Sequence, residues 1–172
     1  MKNHALLAIL AAAALGLTTS RMPAQTAEPG DNPAHWRKAA DNRIYAQQLV
    51  NEVMAKHKDL KVVGIHLTPP GTKQQQLVAC NLDRINKWDD DDDKAIVEAH
   101  QIILGPNLKD PTKYEVLIPL KDKAGNQIGA LGLVFNYHAG ESELKMHEKA
   151  TVIRDDIAAK TGSLDALLKP VE

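Results

Sequence analysis

One stretch constrains the fold more than any other, residues 114–137, with the sequence YEVLIPLKDKAGNQIGALGLVFNY. Apolar side chains alternate along its first part, which is typical of a strand, and a turn-forming segment containing Gly125 follows. The second part is apolar on both faces, with Leu131 and Phe135 on one side and Ala130 and Val134 on the other. We therefore expect an antiparallel hairpin whose second strand is buried on both faces.

Two glycines in this second strand suggest a close approach. Gly129 and Gly132 carry no side chain, so another backbone or a ligand could lie against the strand at these positions.

The remaining patterns predict a second hairpin and three helices. Leu49, Val50, Val53 and Met54 recur at helical spacing. The predicted elements, in chain order, are a long amphipathic helix over 33–58, a hairpin of strands 62–67 and 74–81, a helix that starts in the acidic run 89–93 and stops at Gly105 and Pro106, and a helix over 141–160 closed by Gly162, with Ser163 capping a last short turn.

The N-terminal segment resembles a secretory signal. Lys2 precedes a short apolar run, and small residues follow. We expect a signal peptide over 1–24, cleaved between Ser20 and Ala27, a flexible lead-in over 25–32 and one domain over 33–172. The protein would then be periplasmic or secreted, although retention of the segment as an anchor stays open.

Charge and cysteine content limit the partners and the chemistry. Without residues 1–24 the chain has 19 basic against 22 acidic residues, a net charge of −3, which argues against a nucleic-acid partner. Cys80 is the single cysteine, so an intramolecular disulfide is excluded. Its apolar neighbours predict a buried, unreactive thiol.

The order of elements resembles the Cache or PDC-type extracytoplasmic sensor domains. The likeness is carried by a long N-terminal helix leading into VVGIHLTPPGTKQQQLVACN, by INKWDDDDDKAIV, and by the hairpin PLKDKAGNQIGALGLVF. It implies an α+β, PAS-like fold, with a central antiparallel sheet between a long N-terminal and a C-terminal helix. The family's usual members are receptor ectodomains flanked by membrane helices and followed by an output module, and this sequence shows neither a second membrane segment nor an output module. The expectation is therefore a free-standing binding protein or a partner for a separate membrane receptor.

Neither metal nor catalytic chemistry has a positive signal. The run Asp89 to Asp93 lacks the alternation and the glycine of a calcium loop, so it predicts a surface loop that caps a helix. The histidines show no short ligand spacing. No nucleophile elbow or phosphate loop is present, and we expect no cofactor, no metal and no enzymatic activity.

The candidate ligand-binding residues are His66, Trp88, Tyr114 and Tyr137, because aromatic rings with polar tips near one sheet face suit a small-ligand site. The expected ligand is an organic acid, an amino acid or an amine. Two alternatives stay open: a metal- or haem-binding accessory protein or enzyme that uses histidines, and an interaction module whose long helices pair in a homodimer.

Overall fold

The computed structural model describes residues 32–172. The predicted signal peptide, and the lead-in up to residue 31, lie outside the described residues, so both stay predictions. Within 32–172, no helix is both long and apolar enough to cross a membrane.

The described chain contains four helices and five strands. Two single 3-10 turns, Pro33–His35 and Ala39–Asp41, precede the regular elements. These elements are α1 (Tyr45–Lys56), β1 (Leu60–Leu67), β2 (Gln76–Cys80), α2 (Asp91–Glu98), β3 (Ile103–Pro106), β4 (Lys113–Lys121), β5 (Gln127–Asn136), α3 (Glu143–Lys160) and α4 (Leu164–Leu167).

Strands β1 to β5 form one antiparallel sheet in the order β2-β1-β5-β4-β3. Both predicted hairpins are confirmed: β1 pairs with β2, and β4 pairs with β5. Strand β5 lies at the centre, where Gly132 is opposite Gly64 of β1 and Leu117 of β4. This position explains why β5 is apolar on both faces.

Helices α1 and α3 cover one face of the sheet. Their buried side chains, among them Leu49 and Ile153, belong to one apolar cluster with Ile65, Leu131 and Phe135 of the sheet. This helix-covered face is the hydrophobic core. Burial of each such side chain stabilises the fold by about 1.5 to 3 kcal/mol.

The first helix is shorter than predicted, because α1 begins at Tyr45 and not after Pro33. The preceding residues bond to the loop that follows β2 instead of continuing a helix. Arg37 and Ile85 exchange both backbone hydrogen bonds, which requires extended backbone at Arg37. A tertiary contact therefore overrides the helical reading of this segment.

The second helix is also shorter than predicted. It ends at Glu98, and His100 has a positive φ of 53°, which turns the chain. Ile103 to Pro106, predicted to finish the helix, form strand β3 instead. They pair with the edge of β4, and this pairing outweighs the local helical spacing.

The C-terminal helix matches its prediction except at the cap. Helix α3 ends at Lys160, and its C-cap is Thr161, whose hydroxyl donates to the carbonyl of Ile157 over 2.8 Å. Gly162 therefore follows the cap rather than forming it. Ser163 caps α4 as expected, because its Oγ accepts from the amide of Ala166.

Candidate ligand-binding site

The face of the sheet opposite α1 and α3 holds a cavity of about 420 Å³. This volume lies in the range of small-molecule sites. Gly64 and Gly132 form part of its floor. The lining consists of residues from β1, β2, β4 and β5 and from the loop between β2 and α2, together with Asp93 of α2 and Lys109. It includes Val62, Leu77, Leu82, Leu117, Val134 and Glu115.

The wall of the cavity is built by the loop that follows β2. This loop returns along the outer edge of the strand, where the amide of Leu77 donates to the carbonyl of Lys87 over 2.9 Å. The amide of Asn86 donates to the carbonyl of Leu77 over 2.8 Å, and Asn86 has a positive φ of 76°. The pairing covers an edge strand and holds Trp88 beside the cavity.

Three titratable side chains meet in the wall beside this floor. His66 Nδ1 lies 2.7 Å from Asp89 Oδ1 and 3.6 Å from Asp93 Oδ1. All three residues are buried, and Asp89 is 0% exposed. One ligating atom from each residue lies within 4.8 Å of the others. Among residues 32–172, this is the group of His, Cys, Asp and Glu side chains that could hold a metal ion.

Charges within the cluster shift two pKa values. Burial by itself lowers the pKa of His66, but the charges of Asp93 and Asp89 outweigh it and raise the pKa to about 9. Burial raises the pKa of Asp93 to about 6, against the opposing charge of His66. The raised pKa favours the protonated, cationic form of His66 at neutral pH.

The second nitrogen of the His66 ring faces the floor of the cavity. A Cβ atom added at Gly64 would lie 3.1 Å from His66 Nε2, and one added at Gly132 would lie 3.4 Å from it. The two glycines thus leave the space that the imidazole occupies. Because Nδ1 bonds to Asp89, the protonated ring has its Nε2–H to donate to a ligand.

Three basic side chains line the rest of the wall. Arg84 and Lys109 are exposed, and neither forms an ion pair with another residue of 32–172. Lys87 Nζ lies 3.8 Å from Asp90 Oδ2. Together with His66, these side chains place positive charge around the cavity.

Cys80 also lines the cavity and is 1% exposed. Burial raises the pKa of its thiol. The predicted buried thiol is confirmed, and a raised pKa disfavours the reactive thiolate.

The structure brings two of the four predicted site residues to this cavity, His66 and Trp88. Tyr114 and Tyr137 lie in the hydrophobic core, with ring centroids 5.0 Å apart. Tyr114 pairs with Phe135 and shares its face, which the helices cover. Alternation showed that the strand has two faces, but it did not show which face α1 and α3 would cover.

Gly129 differs from Gly132 in what lies against it. A Cβ atom at Gly129 would lie 2.3 Å from the backbone oxygen of His66, so the neighbouring strand fills this space. The predicted room for a backbone is therefore found at Gly129, and the room beside the cavity at Gly132.

The acidic run combines a cap with two buried acids. Asp90 caps α2 by accepting from the amide of Asp93, as the sequence predicts, and Asp91 is 92% exposed. Asp89 and Asp93 are buried beside His66, so the expectation of a surface loop is wrong for these two positions. Their i, i+4 spacing was the available signal, but His66 is 23 residues away from Asp89 in the chain.

Neither a family model nor a curated protein matches the sequence. Solved structures do match. A protein described as a GAF sensor, from Burkholderia vietnamiensis, is 12% identical, with a TM-score of 0.51, over 70% of this chain and 76% of that one. The Agobacterium tumefaciens repressor BlcR is 9% identical, with a TM-score of 0.48, over 69% of this chain and 67% of that one. A further GAF domain is 10% identical, with a TM-score of 0.46, over 76% of this chain and 80% of that one.

The likeness to the Burkholderia protein shows the fold alone. The chain has an α+β, PAS-like fold of the GAF type, and the predicted fold class is confirmed. The narrower resemblance, to Cache or PDC-type extracytoplasmic domains, stays a prediction.

Proposed function

We propose that this chain is an exported, non-enzymatic, sensor-like domain that binds a small organic molecule in the cavity beside His66 and Trp88. The observation that carries the proposal is the cavity itself, of about 420 Å³, which combines apolar lining residues such as Val62 and Leu117 with seven acidic or basic ones. Its GAF-type fold is compatible with this role, and the signal-like N-terminus supports export.

The charges favour a ligand that carries a carboxylate, an organic acid or an amino acid. A carboxylate could accept from Nε2–H of protonated His66 and from the Arg84 guanidinium, which has no ion-pair partner in 32–172. An amine would instead depend on Asp90, Asp93 and Glu115. Each of these acids already lies beside another polar side chain, Lys87, His66 and Asn107 respectively. The carboxylate is therefore the first choice among the expected ligands.

Beyond ligand binding, the domain would be exported, and a separate membrane receptor would recognise its ligand-bound form. Pairing into a homodimer is the alternative role for the helices.

A thermal-shift screen tests the proposal. Organic acids, amino acids and amines are added to the full chain and to Trp88→Ala, with Trp36→Ala as control, because Trp36 is also an aromatic residue but does not line the cavity. We expect at least one carboxylate class to raise Tm in the parent and in Trp36→Ala, and much less in Trp88→Ala. A ligand at a hundredfold excess over its Kd stabilises a protein by about 2.7 kcal/mol.

A panel without any hit would overturn the proposal. Hits that act equally on Trp88→Ala would show that the ligand binds elsewhere.

A further inference from the structure

The cluster of His66, Asp89 and Asp93 has one acid more than a histidine–aspartate pair requires. Asp89 Oδ1 is bonded to His66, but Asp89 Oδ2 is buried and has no hydrogen-bond partner among the described residues. Asp93 Oδ1, at 3.6 Å from Nδ1, lies beyond hydrogen-bond distance. A buried carboxylate oxygen without a partner is costly, and a bound cation would offset that cost.

We propose that this cluster binds a first-row divalent metal ion, of which Zn²⁺ is the representative. His66 Nδ1 and one oxygen from each of Asp89 and Asp93 would be the ligands. These atoms lie within 4.8 Å of one another, and the ligands of a tetrahedral metal with bonds of about 2.1 Å are about 3.4 Å apart, so side-chain adjustments would close the site.

The donor set selects the class of metal. A nitrogen with two carboxylates suits transition metals such as Zn²⁺, whereas Ca²⁺ takes about six to eight oxygen ligands. The metal would replace the proton on Nδ1 of His66, which is released to solvent, and a divalent ion with two carboxylates and the resulting neutral imidazole is electrically neutral as a unit. Without metal, the same cluster contains two acids and only one histidine to balance their charge.

The backbone holds all three ligands in place. His66 lies on β1 inside the sheet, and the amide of Asp89 donates to the carbonyl of Gln75 over 3.1 Å. The side-chain amide of Gln75 donates to the carbonyl of Asp93 over 3.1 Å, which ties the start of α2 to the same residue. Ligands on supported elements favour a preformed site.

The cavity gives this site an access route. His66 and Asp93 line it, so an ion held between them reaches the space in which an organic ligand would bind. Three protein ligands leave a coordination position for another molecule. A carboxylate in the cavity is a suitable occupant of that position, and Nε2–H of His66 stays free to donate.

Calorimetric titration of ZnCl₂ into the chelator-treated full chain tests the proposal, without any organic ligand. We expect one ion per chain, binding at least tenfold weaker in Asp93→Asn, and within twofold of the parent in Asp91→Asn, which alters an exposed acid of the same run. CaCl₂ should give no binding. Absence of Zn²⁺ binding, or equal affinity in Asp93→Asn, would overturn the proposal while leaving the small-molecule proposal intact.

A second measurement titrates only the parent, with His66→Gln used for assignment, and covers the case in which Asp93→Asn does not fold. The chain has seven histidines, and surface histidines also bind zinc. In NMR spectra, one equivalent of Zn²⁺ should move the ring resonances of His66, assigned with His66→Gln. Movement confined to other histidines would contradict the site.

Discussion

The two faces of the sheet differ in what covers them and in what they contain. One face lies under α1 and α3 and is apolar across the neighbouring strands β1, β5 and β4. The other holds the cavity, two floor glycines, and a buried cluster of one histidine and two acids. The large apolar cluster thus lies on the helix-covered face, and the opposite face keeps groups that would be costly in such a core.

Neighbouring residues of β5 provide the sharpest test of this division. Phe135 is 1% exposed in the core, and Val134 lines the cavity. Phe135→Ala should lower the free energy of unfolding by about 3 to 5 kcal/mol. Val134→Ala should cost about 1 kcal/mol, since fewer buried methyl groups are lost. Urea denaturation measures both, and similar losses for the two variants would contradict a stability difference between the faces.

Removing the cation of the buried cluster should have the next largest effect. His66→Gln leaves Asp89 and Asp93 close together without a positive charge, and breaking a buried ion pair costs about 3 to 5 kcal/mol. His100→Gln, at an exposed histidine, is the control and should cost much less. Urea denaturation in the presence of a chelator compares them. Equal stability of the two variants would show that the positive charge of His66 does not stabilise the fold.

Two glycines of β5 are required for different reasons: Gly129 allows close packing against β1, and Gly132 leaves space at the cavity floor. Gly129→Ala places Cβ 2.3 Å from a backbone oxygen of β1, so we expect a loss of about 1 to 3 kcal/mol. Gly132→Ala meets Leu117 Cδ2 at 3.1 Å and should cost less, because side chains can shift. Thermal unfolding ranks them. A reversed order would mean that the cavity floor, and not the β1 contact, requires glycine.

The smallest expected effect lies between α1 and α3. Lys160 Nζ bonds Glu52 over 2.6 Å, and this hydrogen bond lowers the pKa of Glu52. A lowered folded-state pKa contributes stability above the unfolded value, lost as pH falls through the folded value. Because the pair is largely exposed, we expect less than about 1 kcal/mol.

Thermal unfolding of Glu52→Gln against the parent measures this contribution. The difference should be present at pH 7 and vanish well below pH 4.3, about the unfolded pKa of glutamate. A difference that persists in strong acid would assign the effect to packing.

The sequence predicted the parts of the fold that depend on local pattern. Both hairpins follow from alternation and turn residues, and the cap by Ser163 and the start of α2 within the acidic run follow from residue type. Strand β3 was missed, because its apolar residues also fit a helix and only pairing with β4 decides between the two.

The candidate site was predicted only in part, because it depends on long-range contacts. The pairing of His66 with Asp89 requires that the loop after β2 return along the strand edge, which no local pattern encodes. Arg84 and Lys109 were missed for the same reason, since isolated basic residues in loops carry no signal of their own. Tyr114 and Tyr137 have the right chemistry for a ligand site but lie on the helix-covered face.

Amide NMR of the labelled full chain tests the small-molecule site most directly. Spectra are recorded with and without each member of a panel of organic acids and amino acids. At least one member should shift the amides of Gly64 and Gly132 in the cavity floor, and leave those of Ala150 and Ile157 in α3 unchanged. A panel that shifts no floor amide, or that shifts mainly α1 and α3, would contradict ligand binding on the face opposite these helices.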